Sequence, residues 1–594
     1  MTAFAVRDAV ERLPRYRGLV GERPPVRLDG NENPLGPSPR ALEVLATIDP
    51  DVLSRYPDVT GLRADWAARL GVEESELLLT SGSGPALALA AELVLDPGDH
   101  CVLLEPSFEL YAWAAHRRDA AVVAVGVGRD LAFPLTAVRE ALDRHQPGLV
   151  MLGSPDNPTG VGLPRRSLEA LAARHRSMLF VVDEAYAEFT GKSLLPGAVA
   201  HPNVLVARTF SKAMGLAGER IGGLVGAAEL IERLARINVP YPVTGVAARV
   251  AIAALADRGH VRRTVRQVRR STRRLLAGLE EIGAVARGTA ANFVLLDAGT
   301  ADRAGAVTRA LADRGVAVRD RSYLRNFAGM IRISAGTDEE TERVLDEMRL
   351  LTTEPPEALL FDMDGTLVDV SRSYDEAIYR TVCDFLPPRR RPARDAVLAV
   401  KRDPAANDDI DATLMALSRL GVRGIERRVV AERFQAAYLG RGDTPGLRAR
   451  ERWLLPAAVL KALARRLPLA VVTGRPRDEA AFALEQAGTA AFFAAVVTAD
   501  DVRRKKPDPA PVRRALRMLG VRRAWMVGDS PADLLSAAGA GIHAVAIARG
   551  EPVLRVALRS LAPLAVLDAA RELADVFDGR NRLAAAGAKD GPDA

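Results

Sequence analysis

The chain of 594 residues is too long for one ordinary core, and its length suggests roughly two to four domains. Its 48% hydrophobic and 26% charged residues are those of a soluble globular protein rather than a disordered or membrane one, and no apolar run is long enough to span a bilayer. The formal charge of +7 is arginine spread along the whole length, and Cys101 and Cys383 stand far apart without metal-ligand spacing, so a reducing cytoplasm is expected.

The N-terminal stretch MTAFAVRDAVERLPRYRG lacks a secretory h-region. Beyond it, apolar runs that read as strands alternate with helical patterns: HCVLLEP, GLVMLGS, MLFVVDEAY and NVLVART. Segment 258–279 sets Val261, Val265, Val268 and Leu275 at helical intervals with arginines on the other faces. That spacing predicts a long amphipathic helix with a solvated basic side. A nucleic-acid interface would need interleaved aromatics or a recognisable module, and neither is present.

A polar, proline-bearing break at Thr352–Glu357 reads as a linker, with 1–353 before it and a new domain from 358. The alternation then resumes with ALLFDMD, LAVVTGR, AWMVGDS and HAVAIA. Both halves therefore read as α/β with mainly parallel sheets, and their polar residues stand at the carboxyl ends of strands, where ligands gather in such folds. The second domain is expected to end near 576, with a low-complexity, disordered tail at 577–594.

In the first half, Lys212 is one of two lysines in the first four hundred residues of an arginine-rich chain. A lysine can deprotonate and form a Schiff base with an aldehyde, which an arginine cannot. Asp183 ends a strongly apolar strand, where a carboxylate is costly without a cationic partner such as a pyridinium nitrogen. Asn157 lies in the turn-rich GSPDNPTG, and Arg220 follows Lys212 by eight residues, suited to neutralising a phosphate.

Together with LDGNENPLGPS, RYPD, PSFELY, VPYPVTGVAA and IRISAGT, these segments resemble the fold-type I pyridoxal-phosphate aminotransferases, and within them the histidinol-phosphate aminotransferase family. The resemblance covers about residues 10–350. It implies a large and a small domain, with Lys212 holding pyridoxal 5'-phosphate and shuttling a proton, and Asp183 keeping the ring nitrogen protonated. By the same resemblance Asn157 and Tyr186 bond the ring oxygen, while Thr209, Ser211 and Arg220 hold the phosphate. Tyr56 reaches that phosphate from a partner subunit, which implies a homodimer. Phe108 stacks on the ring, with Tyr111 the alternative. Arg332 and Arg319 match the arginines that receive substrate carboxylate and phosphate, and Tyr16 is a weaker match to a substrate-binding position.

One departure stands in TSGSGPALAL, where Gly84 and Pro85 replace the family's usual acidic pair. Pro85 has no N–H to offer a phosphate, which leaves the backbone amides of Ser83 and Gly84.

In the second half, Asp362 and Asp364 follow an apolar strand in ALLFDMDGTLVD. Two carboxylates so close repel, and a divalent cation would compensate them. One could attack phosphorus while the other serves as acid and base. Later strand ends supply Thr473, Lys506 (or Lys505), Asp529 and Asp533. The chain from 358 to 576 thus resembles the haloacid-dehalogenase superfamily, a Rossmannoid core with a helical cap at about 371–457. The resemblance implies Asp362 as nucleophile and Asp364 as acid/base, with Thr473 and Lys506 binding the phosphoryl group. It further implies Mg²⁺ held by Asp362, the Asp364 carbonyl and Asp529, with Asp533 supporting the site.

An aminotransferase for a phosphorylated keto compound joined to a phosphatase suggests consecutive steps of histidine biosynthesis. Imidazole-acetol phosphate with glutamate would give histidinol phosphate and 2-oxoglutarate, and then histidinol. The alternatives are the same two chemistries on another phosphorylated amino compound, a threonine-phosphate decarboxylase-like first half, or one half idle as a binding or regulatory module.

Overall fold

A computed structural model of the protein describes Val6, Leu13 and residues 8–11, 25–402, 409–441 and 444–588. Two compact units divide it: Met1–Met348 with Asp578–Ala594, and Arg349–Phe577. The division falls inside the helix Asp338–Thr352, upstream of the polar segment 354–357.

The first unit is built on a seven-stranded sheet in the order Leu77–Thr80, Gly222–Val225, Val204–Thr209, Leu179–Asp183, Leu149–Gly153, His100–Glu105, Ala121–Gly126. Gly222–Val225 runs antiparallel to both neighbours, and the five strands from Val204–Thr209 onward are mutually parallel. The central strands are apolar up to their carboxyl ends because both faces are covered. Period two sends Val150, Phe180, Val182 and Val206 to one core, and Leu149, Met151, Val181 and Leu205 to the other. A smaller antiparallel sheet follows, in the order Arg319–Asp320, Met330–Ser334, Phe293–Asp297, Val285–Gly288. Its register sets Arg319 directly opposite Arg332. The basic segment forms the helix Arg258–Glu281, with Val261, Val268 and Leu275 buried, as its spacing requires.

The second unit has a six-stranded parallel sheet ordered Phe493–Val497, Leu469–Val472, Ala358–Phe361, Ala524–Gly528, His543–Ile547, Ala565–Leu567. Leu359, Phe361, Val471 and Trp525 pack on one face and Leu360, Val472 and Met526 on the other. Between the first two strands of this sheet in sequence lie the helices Tyr374–Asp384, Arg394–Leu398, Asp409–Arg419 and Arg427–Leu439, which form the cap, and then Ala457–Ala464. A short ribbon, Val368–Asp369 with Arg452–Trp453, brackets this cap.

The tail differs from expectation. The helix Leu573–Ala588 runs on past 577, because alanine-rich sequence is a strong helix former however simple it looks. Residues 589–594 lie outside the described residues, as does Tyr16. Among the described residues no helix is long and apolar enough to cross a membrane.

Candidate active sites

In the first unit the polar residues converge at the carboxyl ends of the central strands. Asp183 closes its strand, buried, and accepts hydrogen bonds from the Ala185 amide at 3.0 Å and the Tyr111 hydroxyl at 3.2 Å. Burial pushes its carboxyl up to about 6, a cost that a cation facing it would offset. Lys212 lies in the turn after Val204–Thr209, with Nζ donating to the Gly30 carbonyl at 3.2 Å and standing 5.8 Å from the Tyr186 ring centroid. Burial, then the charge of Arg332, lowers the lysine to about 8.

Arg332 is buried, donating from Nη1 to Asn157 Oδ1 and from Nη2 to the Asp29 carbonyl, both at 2.5 Å. Burial and the charges of Arg321 and Arg319 push it down to about 9. Cations crowded in this way are relieved by an anionic ligand. The Tyr186 hydroxyl accepts from Asn31 Nδ2 at 2.9 Å, and Asn31 is fixed in turn by Ser334.

A candidate phosphate cradle lies at the N-terminus of the helix Ser83–Val94. Gly82, at φ 92°, lies so close to Arg220 that a Cβ would stand 2.7 Å from Nη2, and a Cβ on Gly222 would stand 2.7 Å from the Ser83 nitrogen. Thr209 Oγ1 donates to Ser211 Oγ at 2.9 Å and accepts from the Ser211 amide at 3.1 Å. Hydroxyls, helix amides and a guanidinium around a side-chain-free approach fit a phosphate. Pro85 is the third residue of the helix, inside the first turn, where a missing N–H is tolerated. The departure therefore leaves the helix start and the Ser83 and Gly84 amides in place.

Phe108 precedes the helix Glu109–His116 and meets Tyr111 edge-on at 5.7 Å. Tyr56 is not drawn into this cluster; it is 82% exposed and stacks on Tyr241 at 4.6 Å.

In the second unit Asp362 follows the strand Ala358–Phe361, Thr473 follows Leu469–Val472 and Asp529 follows Ala524–Gly528. One carboxylate oxygen each from Asp362, Asp529 and Asp533 lie within 4.8 Å of one another. Burial and the Asp533 charge drive the Asp362 carboxyl well above the ordinary range, a crowding that fits a divalent cation. Lys506 Nζ donates at 2.5 Å to both Asp362 and Asp533, while Lys505 is exposed, so Lys506 is the lysine brought to the carboxylate cluster. Asp533 also caps its own helix through Ser530, so it braces the cluster. Gly365, at φ 77°, lets the turn pass Asp529, whose Oδ2 would be 1.9 Å from a Cβ there. The Asp364 carboxylate stands apart from the metal cluster and pairs with Arg475.

Residues 23–348 match the family "Aminotransferase class I and II". The chain belongs to the class I and II aminotransferases. Residues 356–541 match "haloacid dehalogenase-like hydrolase", so an aminotransferase is fused to a hydrolase of that class. The chain is 37% identical over 351 residues to a histidinol-phosphate aminotransferase of Roseiflexus castenholzii, covering 57% of this chain and 93% of that one. It is 35% identical over 353 residues to one of Natronomonas pharaonis, covering 58% and 96%. A crystal structure of histidinol-phosphate aminotransferase from Sinorhizobium meliloti with pyridoxal-5'-phosphate is similar at TM-score 0.54 and 27% identity, over 58% of this chain and 96% of that one. The aminotransferase–hydrolase is thus a bifunctional enzyme, with pyridoxal phosphate as cofactor of the first unit and Mg²⁺ of the second.

Several contributing residues escape sequence reasoning. Asp156 is buried beside the cofactor turn, accepts from Ser107 at 2.6 Å and Thr159 at 3.0 Å, and is pushed up to about 7 by burial. Arg321, buried just after the strand Arg319–Asp320, joins Arg319 in lowering Arg332. Arg475 and Glu451 carry no local signal.

Proposed function

We propose that the first unit transfers the amino group of glutamate to imidazole-acetol phosphate, giving histidinol phosphate and 2-oxoglutarate, and that the second unit hydrolyses histidinol phosphate to histidinol. The observation that carries the reading is buried Arg332, whose charge reaches Lys212 and which is itself crowded by buried Arg321 and half-buried Arg319, in a chain that also holds the phosphoryl-transfer set. The carboxylates of glutamate and, in the other half-reaction, the phosphate of imidazole-acetol phosphate suit such a cationic pocket. The names of the relatives support the substrate assignment.

Pyridoxal phosphate, when bound, supplies the electron sink for a carbon losing its proton. Ser83, Gly84, Thr209, Ser211 and Arg220 would hold its phosphate, Asp183 its ring nitrogen, Asn157 and Tyr186 its ring oxygen. Phe108 would cover the ring face, a role the Tyr111 hydroxyl bond to Asp183 leaves to Phe108. Lys212, lowered toward neutrality, is suited to take and return the proton at the substrate Cα. Arg332 would receive the substrate carboxylate as a fork, and Arg319 the distal anion.

In the second unit Asp362, Asp529 and the Asp364 carbonyl would hold Mg²⁺, which neutralises phosphate charge. Asp362 would attack phosphorus, with Thr473 and Lys506 on the phosphoryl oxygens and Asp364 as acid and then base. We further assign aminotransferase to 1–353 and phosphatase to 358–576. A homodimer is supported by exposed Tyr56, Leu53 and Val239. A reducing cytoplasm is supported by two buried, free cysteines.

The substrate assignment is tested by kcat/KM of both activities over a panel of phosphorylated amines. Histidinol phosphate should lead in both. Preference for phosphothreonine, with release of carbon dioxide, would replace the first-unit reading by a decarboxylase.

A further inference from the structure

The Arg475 side chain is 1% exposed, two residues past Thr473, and is shared between two carboxylates. Its Nη1 and Nη2 donate to Glu451 Oε2 and Oε1 at 2.9 and 3.0 Å, a bidentate pair, while Nε donates to Asp364 Oδ1 at 2.7 Å. Glu451 is 3% exposed and also accepts at 3.0 Å from the hydroxyls of Tyr438 and Ser373. The guanidinium lies 5.0 Å from the Tyr374 ring centroid, and that ring stacks on Tyr438 at 4.4 Å. Tyr374 and Tyr438 come from two cap helices, and Arg475 from the turn after a core strand.

We propose that Arg475, fixed by Glu451 and the cap tyrosines, is a positioning residue that aims the Asp364 carboxyl group at the ester oxygen of the substrate. The proposal rests on the reading of Asp362 as nucleophile and Asp364 as acid and base. A planar fork bonded bidentately to Glu451 has lost its rotational freedom, so its Nε edge can hold one Asp364 oxygen in a set direction. A lysine could not satisfy both carboxylates in one plane. The network also ties that direction to the cap helices that carry Tyr374 and Tyr438.

The Asp362 oxygen–phosphorus bond forms as the phosphorus–ester oxygen bond breaks, and the departing alkoxide takes the proton of the Asp364 carboxylic acid. Water then attacks phosphorus, giving its proton to the Asp364 carboxylate, as the Asp362–phosphorus bond breaks and phosphate leaves. Only an alkoxide leaving group needs that first proton; a stabilised phenolate does not. Misaiming Asp364 should therefore harm alkyl phosphates far more than p-nitrophenyl phosphate in kcat/KM, which reports through the first step.

The full-length, Mg²⁺-loaded protein is compared as wild type, Arg475→Lys and Arg475→Met/Glu451→Met. The double variant removes both buried charges and so avoids stranding one. Expected is an alkyl-phosphate kcat/KM lower by about a hundredfold, the scale of lost general acid catalysis, with p-nitrophenyl phosphate within about tenfold. Equal losses on both esters in folded protein, or none on either, would overturn the positioning role. Phosphatase activity persisting in Asp362→Asn would instead sink the underlying nucleophile reading.

Discussion

The Tyr111 hydroxyl donates a 3.2 Å hydrogen bond to Asp183 Oδ2, inside the core of the aminotransferase unit. This bond opposes the burial that pushes the Asp183 carboxyl up to about 6. Tyr111→Phe should raise it further, so the ionised form needs higher pH. The acid limb of the transamination profile then moves upward, and the rate near neutrality falls on the order of three- to tenfold, the worth of one such bond. A pH–rate series on both proteins measures it; an unmoved limb would detach Tyr111 from the cofactor.

Arg332→Lys keeps the charge but loses the fork that holds Asn157 and would grip a carboxylate. The loss of a charge-assisted bond worth ~1.5–3 kcal/mol corresponds to about ten- to a hundredfold in kcat/KM for glutamate. Visible absorbance of bound cofactor should persist, because Arg220, which lies beside Gly82, and not Arg332, is the residue proposed for the cofactor phosphate. Single-turnover reaction with glutamate is the measurement. An unchanged rate would shift suspicion to Arg319.

Lys212 is lowered to about 8 by burial and by Arg332. Only the neutral amine combines with an aldehyde, so reconstitution of apoenzyme with pyridoxal phosphate should quicken as pH rises and level off above about 8, slowing roughly tenfold per unit below. Arg332→Met removes a charge that disfavours the ammonium, so its midpoint should lie higher. Stopped-flow absorbance across the pH series reads both. A rate that falls with pH, or a midpoint that drops in the variant, would contradict the assignment.

Chelation of divalent cations should abolish phosphate release and leave amino transfer intact. Asp529→Asn should raise the Mg²⁺ concentration for half activity by at least about tenfold, one charge-assisted contact being lost. Titration of phosphatase activity with Mg²⁺ tests this, and wild-type Mg²⁺ dependence in the variant would remove Asp529 from the metal site.

Much of the fold is legible because its signals are local. The apolar runs around Val181 and Leu360 are buried on both faces, and the polar residue ending each run lands at a strand terminus that lines a site. Asp183, Lys212, Asp362 and Lys506 stand out because each is an anomaly of charge or residue type in its segment. Arg475 does not, since arginine is abundant throughout and nothing local separates a buried guanidinium from a solvated one. Its partner Glu451 lies 24 residues upstream across the core–cap junction, a pairing set only by tertiary structure. The alanine-rich end misleads for the opposite reason: simple composition there carries high helix propensity rather than disorder.

The presence of two independent chemistries in one chain is tested most directly by crossing two substitutions with two assays. Wild type, Lys212→Ala and Asp362→Asn are incubated with histidinol phosphate and 2-oxoglutarate in the presence of Mg²⁺, and free phosphate and new glutamate are followed separately. Lys212→Ala should release phosphate at the wild-type rate and form no glutamate. Asp362→Asn should form glutamate and release no phosphate, because an amide cannot accept the phosphoryl group. Loss of both products together in either folded variant, or survival of both, would contradict two separate sites.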